Sequence, residues 1–222
     1  MKYCNAPAKR TTRRILSSVC AAALGVAFTV ALPQLVHAGE VTPPDVPFNI
    51  RAPEGSKAFL EGHATGTQNY VCVPSGSGVK FVLFTPQATL FNADDKQGDA
   101  QMTTHYNSPN LNPDPGEVLN EIHPTWQHSR DTSAFWGVVR DGESSTDSNF
   151  VAVGAIPWLL LRRVGTQTGP TGGDTLTKTV AVQRVNTAGG VAPAIGCNGP
   201  TDLGNKAFVP YTADYFFYTG GQ

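Results

Sequence analysis

The chain has 222 residues, of which 40% are hydrophobic and 15% are charged, and 23 glycines and 17 prolines interrupt it. This composition excludes an intrinsically disordered chain, a collagen, a coiled coil and a polytopic membrane protein. It favours a globular domain rich in turns, in which the 9% of aromatic residues supply the core.

The first 38 residues have the order of a secretory signal peptide. Residues 1–14 carry five basic side chains and no acidic one, residues 15–32 are apolar and small, and a small-x-small triplet ends at Ala38. An uncleaved anchor is the alternative, because the 18 residues of that apolar stretch approach the roughly 20 that span a bilayer. We expect cleavage after Ala38 and export to the periplasm or the medium, by either the general or the twin-arginine route.

Loss of the signal peptide changes the charge of the chain. Eleven Lys and Arg then remain against seventeen Asp and Glu, so the formal net charge goes from −1 to −6. The longest remaining basic cluster is Arg162-Arg163, whereas nucleic-acid binding needs many basic contacts on one surface. No nucleic-acid partner is therefore expected, and since no second hydrophobic segment follows, no transmembrane span is expected in the mature chain.

The mature part is short enough to form one domain. Prolines crowd residues 39–53, which we expect to form an extended N-terminal arm. Residues 54–222 are then a single all-β domain.

Two cysteines remain in the mature part, Cys72 and Cys197. In an oxidising compartment an isolated pair predicts one disulfide, here closing a loop of 125 positions. Two buried free thiols are the alternative.

Short runs rich in Val, Phe, Tyr, Leu and Thr follow the arm and alternate with turn residues. None shows the apolar spacing of an amphipathic helix. The pattern predicts an antiparallel β-sandwich or barrel-like fold with long loops at 107–118 and 164–175. The predicted strands are 57–64, 68–73, 79–91, 121–129, 134–140, 155–164, 176–186, 206–211 and 214–218.

Two of these runs carry bulky apolar residues at successive positions, AIPWLLL at 155–161 and DYFFY at 214–218. Successive strand residues point to opposite faces, so both runs are expected to be buried on both sides. For the DYFFY aromatics, a stacking platform for sugar rings or another planar ligand is the alternative.

The histidines of the mature part suggest a metal site. His123 and His128 differ by five positions, so on one regular strand they face opposite sides. A site built from His105 with one of them, completed by Asp131 or His63, would suit zinc, copper or non-haem iron. Without a short ligand motif, four unrelated histidines are the alternative.

Other polar motifs indicate turns. Arg130 and Asp131 lie in SRDTS (129–133), which lacks a G-x-S-x-G elbow and predicts a tight turn instead of a serine hydrolase. The acidic run from Asp94 to Asp99 lacks the spacing of a calcium loop and predicts a solvated hairpin turn. Neither a P-loop nor a dinucleotide fingerprint is present, so no nucleotide cofactor is expected.

Several strings, together with the cysteine pair, resemble one known family. They include IPWLLL (156–161), QRVNT (183–187) and YTADY (211–215), with HYNSPN (105–110) and TWQHSRDTSAFWG (125–137). The chain resembles a family of exported bacterial and fungal proteins catalogued as domain of unknown function 3455. The resemblance implies a single secreted domain, and it implies no reaction and no catalytic residue.

Two hypotheses of function follow. The first is a non-enzymatic, exported ligand-binding or envelope-associated β-domain that contacts a small molecule or glycan through its long loops. The alternative is a metal-dependent or acid/base enzyme acting on an extracellular small molecule or glycan, with a divalent transition metal as its one candidate cofactor. A purely structural role and any oligomeric state stay open. The candidate site residues are His105, His123, His128, Arg130, Asp131, Trp126 and Trp136.

Overall fold

The computed structural model describes residues 41–92 and 100–220. The predicted signal peptide and the acidic turn from Asp94 to Asp99 lie outside the described residues. Within this part of the chain, no helix has the length and apolar character needed to cross a membrane. The strands are β1 (Ser56–Ser75), β2 (Gly78–Asn92), β3 (Gln101–Pro109), β4 (Ile122–His128), β5 (Ala134–Val138), β6 (Ser144–Ser145), β7 (Trp158–Gln167), β8 (Thr179–Gly189) and β9 (Lys206–Gly220), with short 3₁₀ helices at Phe48–Ile50 and Pro200–Asp202.

Eight of the strands close into an antiparallel barrel. The order around the barrel is β5, β4, β3, β2, β1, β9, β8 and β7, and β5 pairs with β7 to complete the circle. The short strand β6 pairs with the first two residues of β7, Trp158 and Leu159, and is not one of the eight barrel strands. The prediction of an all-β, antiparallel, barrel-like fold is confirmed.

A single strand, β1, replaces two predicted strands, 57–64 and 68–73. The Thr65-Gly66 pair that suggested a turn continues the ladder with β2. A Cβ at position 66 would lie 2.1 Å from the carbonyl oxygen of Gln87, so the glycine allows a close approach of two backbones. The predicted strands 206–211 and 214–218 are likewise parts of β9.

The strand β3 was not predicted, because it is rich in polar residues and ends in NSP. It lies between β2 and β4, and that pairing holds its polar sequence extended. The predicted loop at 107–118 therefore begins three residues later than expected. Residues 110–114 of this loop are hydrogen-bonded to β7. The Asp114 N–H and the Asn110 side chain both donate to the carbonyl of Val164, at 2.8 and 2.9 Å.

Among the described residues the barrel has three hydrophobic clusters, one inner and two outer, and the larger outer one is called the outer core below. Tyr215 and Phe217 point inward with Leu161, whereas Phe216 and Tyr218 pack outside. The prediction that AIPWLLL and DYFFY are buried on both sides is confirmed. The outer core is covered by the arm, in which Ile50 is fully buried and accepts a 2.6 Å hydrogen bond from the Gln183 amide.

The predicted disulfide is confirmed. Cys72 of β1 is bonded to Cys197, with 5.5 Å between their Cα atoms. The bridge ties the segment before β9 to β1, where Cys72 N–H also donates to the carbonyl of Asn205 at 2.8 Å.

Candidate binding site in the barrel interior

One end of the barrel interior is not filled by side chains. Leu90, Met102 and Phe217 pack the opposite end, whereas this end contains a cavity of about 170 Å³, called the barrel cavity below. Its wall combines apolar side chains with amides, a histidine, a tyrosine and an arginine. The lining residues are Gln68, Leu83, Pro86, His105, Asn107, Pro124, Trp126, Val139, Leu159, Leu161, Arg184 and Tyr215.

Arg184 brings the positive charge of this wall. It lies on β8 opposite Tyr215 of β9, on the face that points into the barrel, and is only 8% exposed. Its Nε and Nη2 both donate to the carbonyl of Pro157, at 3.2 and 2.8 Å. Within residues 41–92 and 100–220 no carboxylate forms an ion pair with it, because the paired arginines there are Arg162 and Arg163. A buried charge usually has an ionic partner.

His105 contributes a neutral ring. Its imidazole stacks on the indole of Trp126, and its Nδ1 lies 2.9 Å from the carbonyl oxygen of Thr125. A carbonyl can only accept, so Nδ1 carries the hydrogen and Nε2 is the ring acceptor. Burial lowers the pKa of His105 to about 3, and the charge of Arg184 acts in the same direction, while the bond to Thr125 opposes the shift.

Tyr215 is also held in one protonation state. Burial raises its pKa, and the charge of Arg184 and a hydrogen bond from Tyr211 offset that shift only in part. The hydroxyl oxygens of Tyr211 and Tyr215 lie 3.2 Å apart. Both phenols therefore stay protonated and neutral beside the guanidinium.

Two lining side chains have a buried polar atom without a hydrogen-bond partner in the described structure: Asn107 Oδ1 and Trp126 Nε1. Trp126 is fully buried. The other amide atom of Asn107, Nδ2, donates to the carbonyl of Phe84 at 3.1 Å. An unsatisfied buried polar atom costs about 1–3 kcal/mol, so such atoms are normally bonded to water or ligand.

A larger groove of about 790 Å³ lies on the surface of β1 to β4. It is open, and threonine and glutamine side chains such as Thr65, Thr89 and Gln127 dominate its lining, which contains no Lys, Arg, Asp or Glu. The barrel cavity is the stronger candidate site, because it is less open than this groove and combines a charge with unpartnered polar atoms.

The structure brings two of the sequence-predicted site residues, His105 and Trp126, into the barrel cavity. Trp136 lies outside the barrel, where its Nε1 donates to Ser108 Oγ at 3.0 Å. His123 is also buried, away from the cavity lining, and its Nε2 lies 3.5 Å from a carboxylate oxygen of Glu121.

The remaining predicted residues lie at the other end of β4. His128 Nδ1 is 3.0 Å from a carboxylate oxygen of Asp131, and Arg130 is exposed. Asp131 accepts hydrogen bonds from the backbone and hydroxyl of both Ser133 and Thr175. Burial by itself raises the pKa of Asp131, but these bonds outweigh it and hold the pKa below its ordinary value. This carboxylate joins the SRDTS turn to the loop after β7, which begins at Thr168 and not at 164 as predicted, because β7 continues to Gln167.

A separate group of metal-ligating side chains lies away from the cavity. In the parts of the chain that the structure describes, Glu61, His63 and Asp214 form the one set of three with ligand atoms all within 4.8 Å of one another. His63 Nδ1 contacts Asp214 Oδ1, and Asn186 donates to Asp214 Oδ2 at 2.8 Å. Of these residues, the sequence suggested only His63 as a metal ligand.

The cavity lies in a region of the chain that a protein-family model matches. A family model described as "Protein of unknown function (DUF3455)" matches residues 53–219. The chain belongs to this family. The resemblance inferred from the sequence strings is confirmed, and every cavity-lining residue lies within the matched DUF3455 region. No curated protein and no solved structure matches the chain.

Sequence reasoning missed the residues that give this DUF3455 domain its polar cavity. The inward orientation of Arg184 could have been predicted from the sequence. Arg184 lies two positions after the core residue Val182 on the same strand, and alternate strand residues face the same side, so both point into the barrel. Gln68 and Asn107 carried no such signal, since polar residues surround both in the sequence.

Proposed function

We propose that this protein is a non-enzymatic binding protein whose barrel cavity holds a small organic molecule. The proposal depends mainly on one observation, a partly enclosed space of about 170 Å³ that is lined by buried polar atoms without hydrogen-bond partners. One water takes about 30 Å³ in the liquid, so the cavity has room for a molecule of several heavy atoms. Apolar walls with a few convergent polar groups are typical of small-molecule sites.

The protonation states of the wall support binding more than acid/base catalysis. A general acid or base works best with a pKa near the working pH. The pKa of His105 is lowered to about 3 and the pKa of Tyr215 is raised, so both stay neutral around pH 7. These groups suit the recognition of a ligand through fixed donors and acceptors.

The alternative of an enzyme using His105, His123 and His128 has less support. His105 lines the cavity, His123 contacts Glu121, and His128 contacts Asp131 beyond the opposite end of β4. Joint ligation of one ion would require these side chains to leave those contacts.

Export is part of the proposal. The order of residues 1–38 and the disulfide between Cys72 and Cys197 both support an oxidising compartment outside the cytoplasm. The intact mass of protein recovered after expression of the full chain tests this. We expect a chain beginning at Gly39, and a full-length mass in the cytoplasmic fraction would contradict export.

The binding proposal is tested with nitrogen-15 NMR of the indole N–H groups. The three tryptophans give three resonances: Trp126 lines the cavity, whereas Trp136 is hydrogen-bonded outside the barrel. A library of small neutral, cationic and anionic compounds should contain members that shift the Trp126 resonance in a saturable way and leave Trp136 unchanged. A library in which no compound of any charge shifts Trp126 would overturn the proposal.

A matched pair of variants locates the binding. Leu159→Phe adds a ring beside the cavity and is expected to abolish the Trp126 shifts. Val153→Phe adds the same ring at a fully exposed position and is expected to leave them intact. Equal binding by both variants would place the ligand elsewhere.

A further inference from the structure

The charge balance of the barrel cavity restricts its ligand. Arg184 is only 8% exposed, and its guanidinium donates from Nε and Nη2 to the uncharged carbonyl of Pro157 and also hydrogen-bonds the neutral Tyr215. No acidic side chain lines the cavity, and none in the described ranges pairs with this guanidinium. The wall therefore has one positive charge without a counter-charge.

The neighbouring titratable groups do not cancel that charge. His105 and Tyr215 both remain neutral at physiological pH, because burial lowers the pKa of the imidazole and raises the pKa of the phenol. A ligand with one negative charge would neutralise the cavity. A guanidinium fork matches a planar carboxylate well, and the cavity lacks the further basic residues that a phosphate dianion usually finds.

The unpartnered atoms add a second restriction. Trp126 Nε1 is a donor, and it suits an oxygen atom of the ligand. Asn107 Oδ1 is an acceptor, and its orientation is fixed because the Nδ2 of the same amide is bonded to Phe84. A ligand that satisfies the whole set needs a donor as well as an anionic acceptor.

We infer that the barrel cavity selects a small monocarboxylate that also carries a hydroxyl group, with the carboxylate on Arg184 and the hydroxyl donating to Asn107 Oδ1. This inference rests on the proposed binding function. It concerns the chemical class of the ligand and can fail while that function stands.

Isosteric ligand pairs test the carboxylate. Propionate, butyrate and benzoate are each compared with their primary amides by titration of the Trp126 indole resonance. The carboxylates are expected to bind at least tenfold more tightly than the amides. If amides bind as well as carboxylates, the inference is wrong and the binding function remains; if no compound of any class binds, the binding function itself fails.

Substitutions of Arg184 test whether its guanidinium binds the carboxylate of the ligand. Arg184→Gln is expected to remove the preference for carboxylate over amide, and Arg184→Lys to retain a weakened preference because the charge stays and the fork is lost. Arg162→Gln is the matched control, because Arg162 is paired with Glu143 at 2.6 Å and does not line the cavity. A carboxylate preference that survives in Arg184→Gln overturns the assignment. If that variant does not fold, an unweakened preference in Arg184→Lys overturns it.

The hydroxyl is tested with 2-hydroxybutyrate against butyrate. The wild-type protein is expected to bind the hydroxy acid several-fold more tightly, and Asn107→Leu should lose this advantage while it still prefers carboxylates to amides. Equal affinity for the two acids in the wild-type protein overturns the role of Asn107.

Discussion

The imidazole of His105 stacks on the indole of Trp126, with ring centroids 4.0 Å apart and ring planes 9° from parallel. Tyr215 packs against both rings, with centroids at 5.4 and 5.5 Å. This enclosure removes the imidazole from water, and the nearby Arg184 further disfavours a second positive charge. The stack therefore depends on a neutral histidine.

We predict a loss of stability in mild acid that originates at His105. Its pKa is about 3 in the folded protein and 6.5 ordinarily, so between these values the unfolded chain binds a proton that the folded chain does not. The stabilisation is complete above pH 6.5 and is lost progressively as the pH falls towards 3. One pKa unit is worth about 1.4 kcal/mol, so the whole effect is on the order of 5 kcal/mol. Urea unfolding at several pH values measures it.

His105→Gln provides the control for this effect. The variant lacks the titrating ring, so its free energy of unfolding should fall less between pH 6.5 and pH 4.5 than that of the wild-type protein. Parallel pH profiles of the two proteins would contradict the prediction.

A second prediction concerns the carboxylate of Asp131. Its two oxygens accept four hydrogen bonds from Ser133 and Thr175, at 2.6 to 3.0 Å. Asp131→Ala should therefore lower the free energy of unfolding by about 2–4 kcal/mol, since bonds to a charged acceptor are worth about 1.5–3 kcal/mol each and are not additive. Asp141→Ala removes an exposed carboxylate and is expected to change little.

The stabilisation by Asp131 should depend on pH at more acidic values than the stabilisation by His105. Its pKa in the folded protein lies below the ordinary 3.8, so its stabilisation is present above that value and is lost as the pH falls further. Chemical unfolding from pH 5 to pH 2 should show a steeper loss in wild type than in Asp131→Ala. Equal slopes would show that the four bonds do not depend on the charge.

The fold was largely predictable because its signals are local. Turn residues marked most strand ends, and the successive apolar residues of AIPWLLL marked a strand buried on both sides. The turn predicted at Gly66 was wrong because the close approach of Gln87 cannot be read from the residue itself. The strand β3 was missed because its pairing partners, and not its polar sequence, keep it extended.

The candidate site was less predictable because it depends on strand register. Proximity in sequence suggested a cluster of histidines, but strand alternation separates His123 from the face that carries Trp126. Arg184 and His105 line the same cavity because of the order of strands around the barrel, and this order cannot be read from any local sequence pattern.

A third prediction concerns the disulfide between Cys72 and Cys197. Its loop spans 125 positions, and closing so long a loop stabilises a fold by up to about 4–5 kcal/mol through the entropy of the unfolded chain. Replacing both cysteines with serine should lower the urea midpoint with little change in the native far-UV spectrum. A reductant should lower the wild-type midpoint and leave that of the double variant unchanged; equal midpoints for wild type and variant would contradict the prediction.

The last prediction concerns metal uptake. An imidazole nitrogen and carboxylate oxygens are suitable zinc ligands, and those of Glu61, His63 and Asp214 already lie within 4.8 Å of one another on neighbouring strands. We expect Zn²⁺ added to untagged protein to bind here with a stoichiometry of about one, as measured by calorimetry and elemental analysis after dialysis. His63→Ala should abolish the retained zinc, whereas His123→Ala, which alters a buried histidine outside this group, should retain it. Loss of zinc in His123→Ala but not in His63→Ala would contradict this prediction. It would indicate that zinc binds at a site containing His123, and it would favour the enzyme hypothesis.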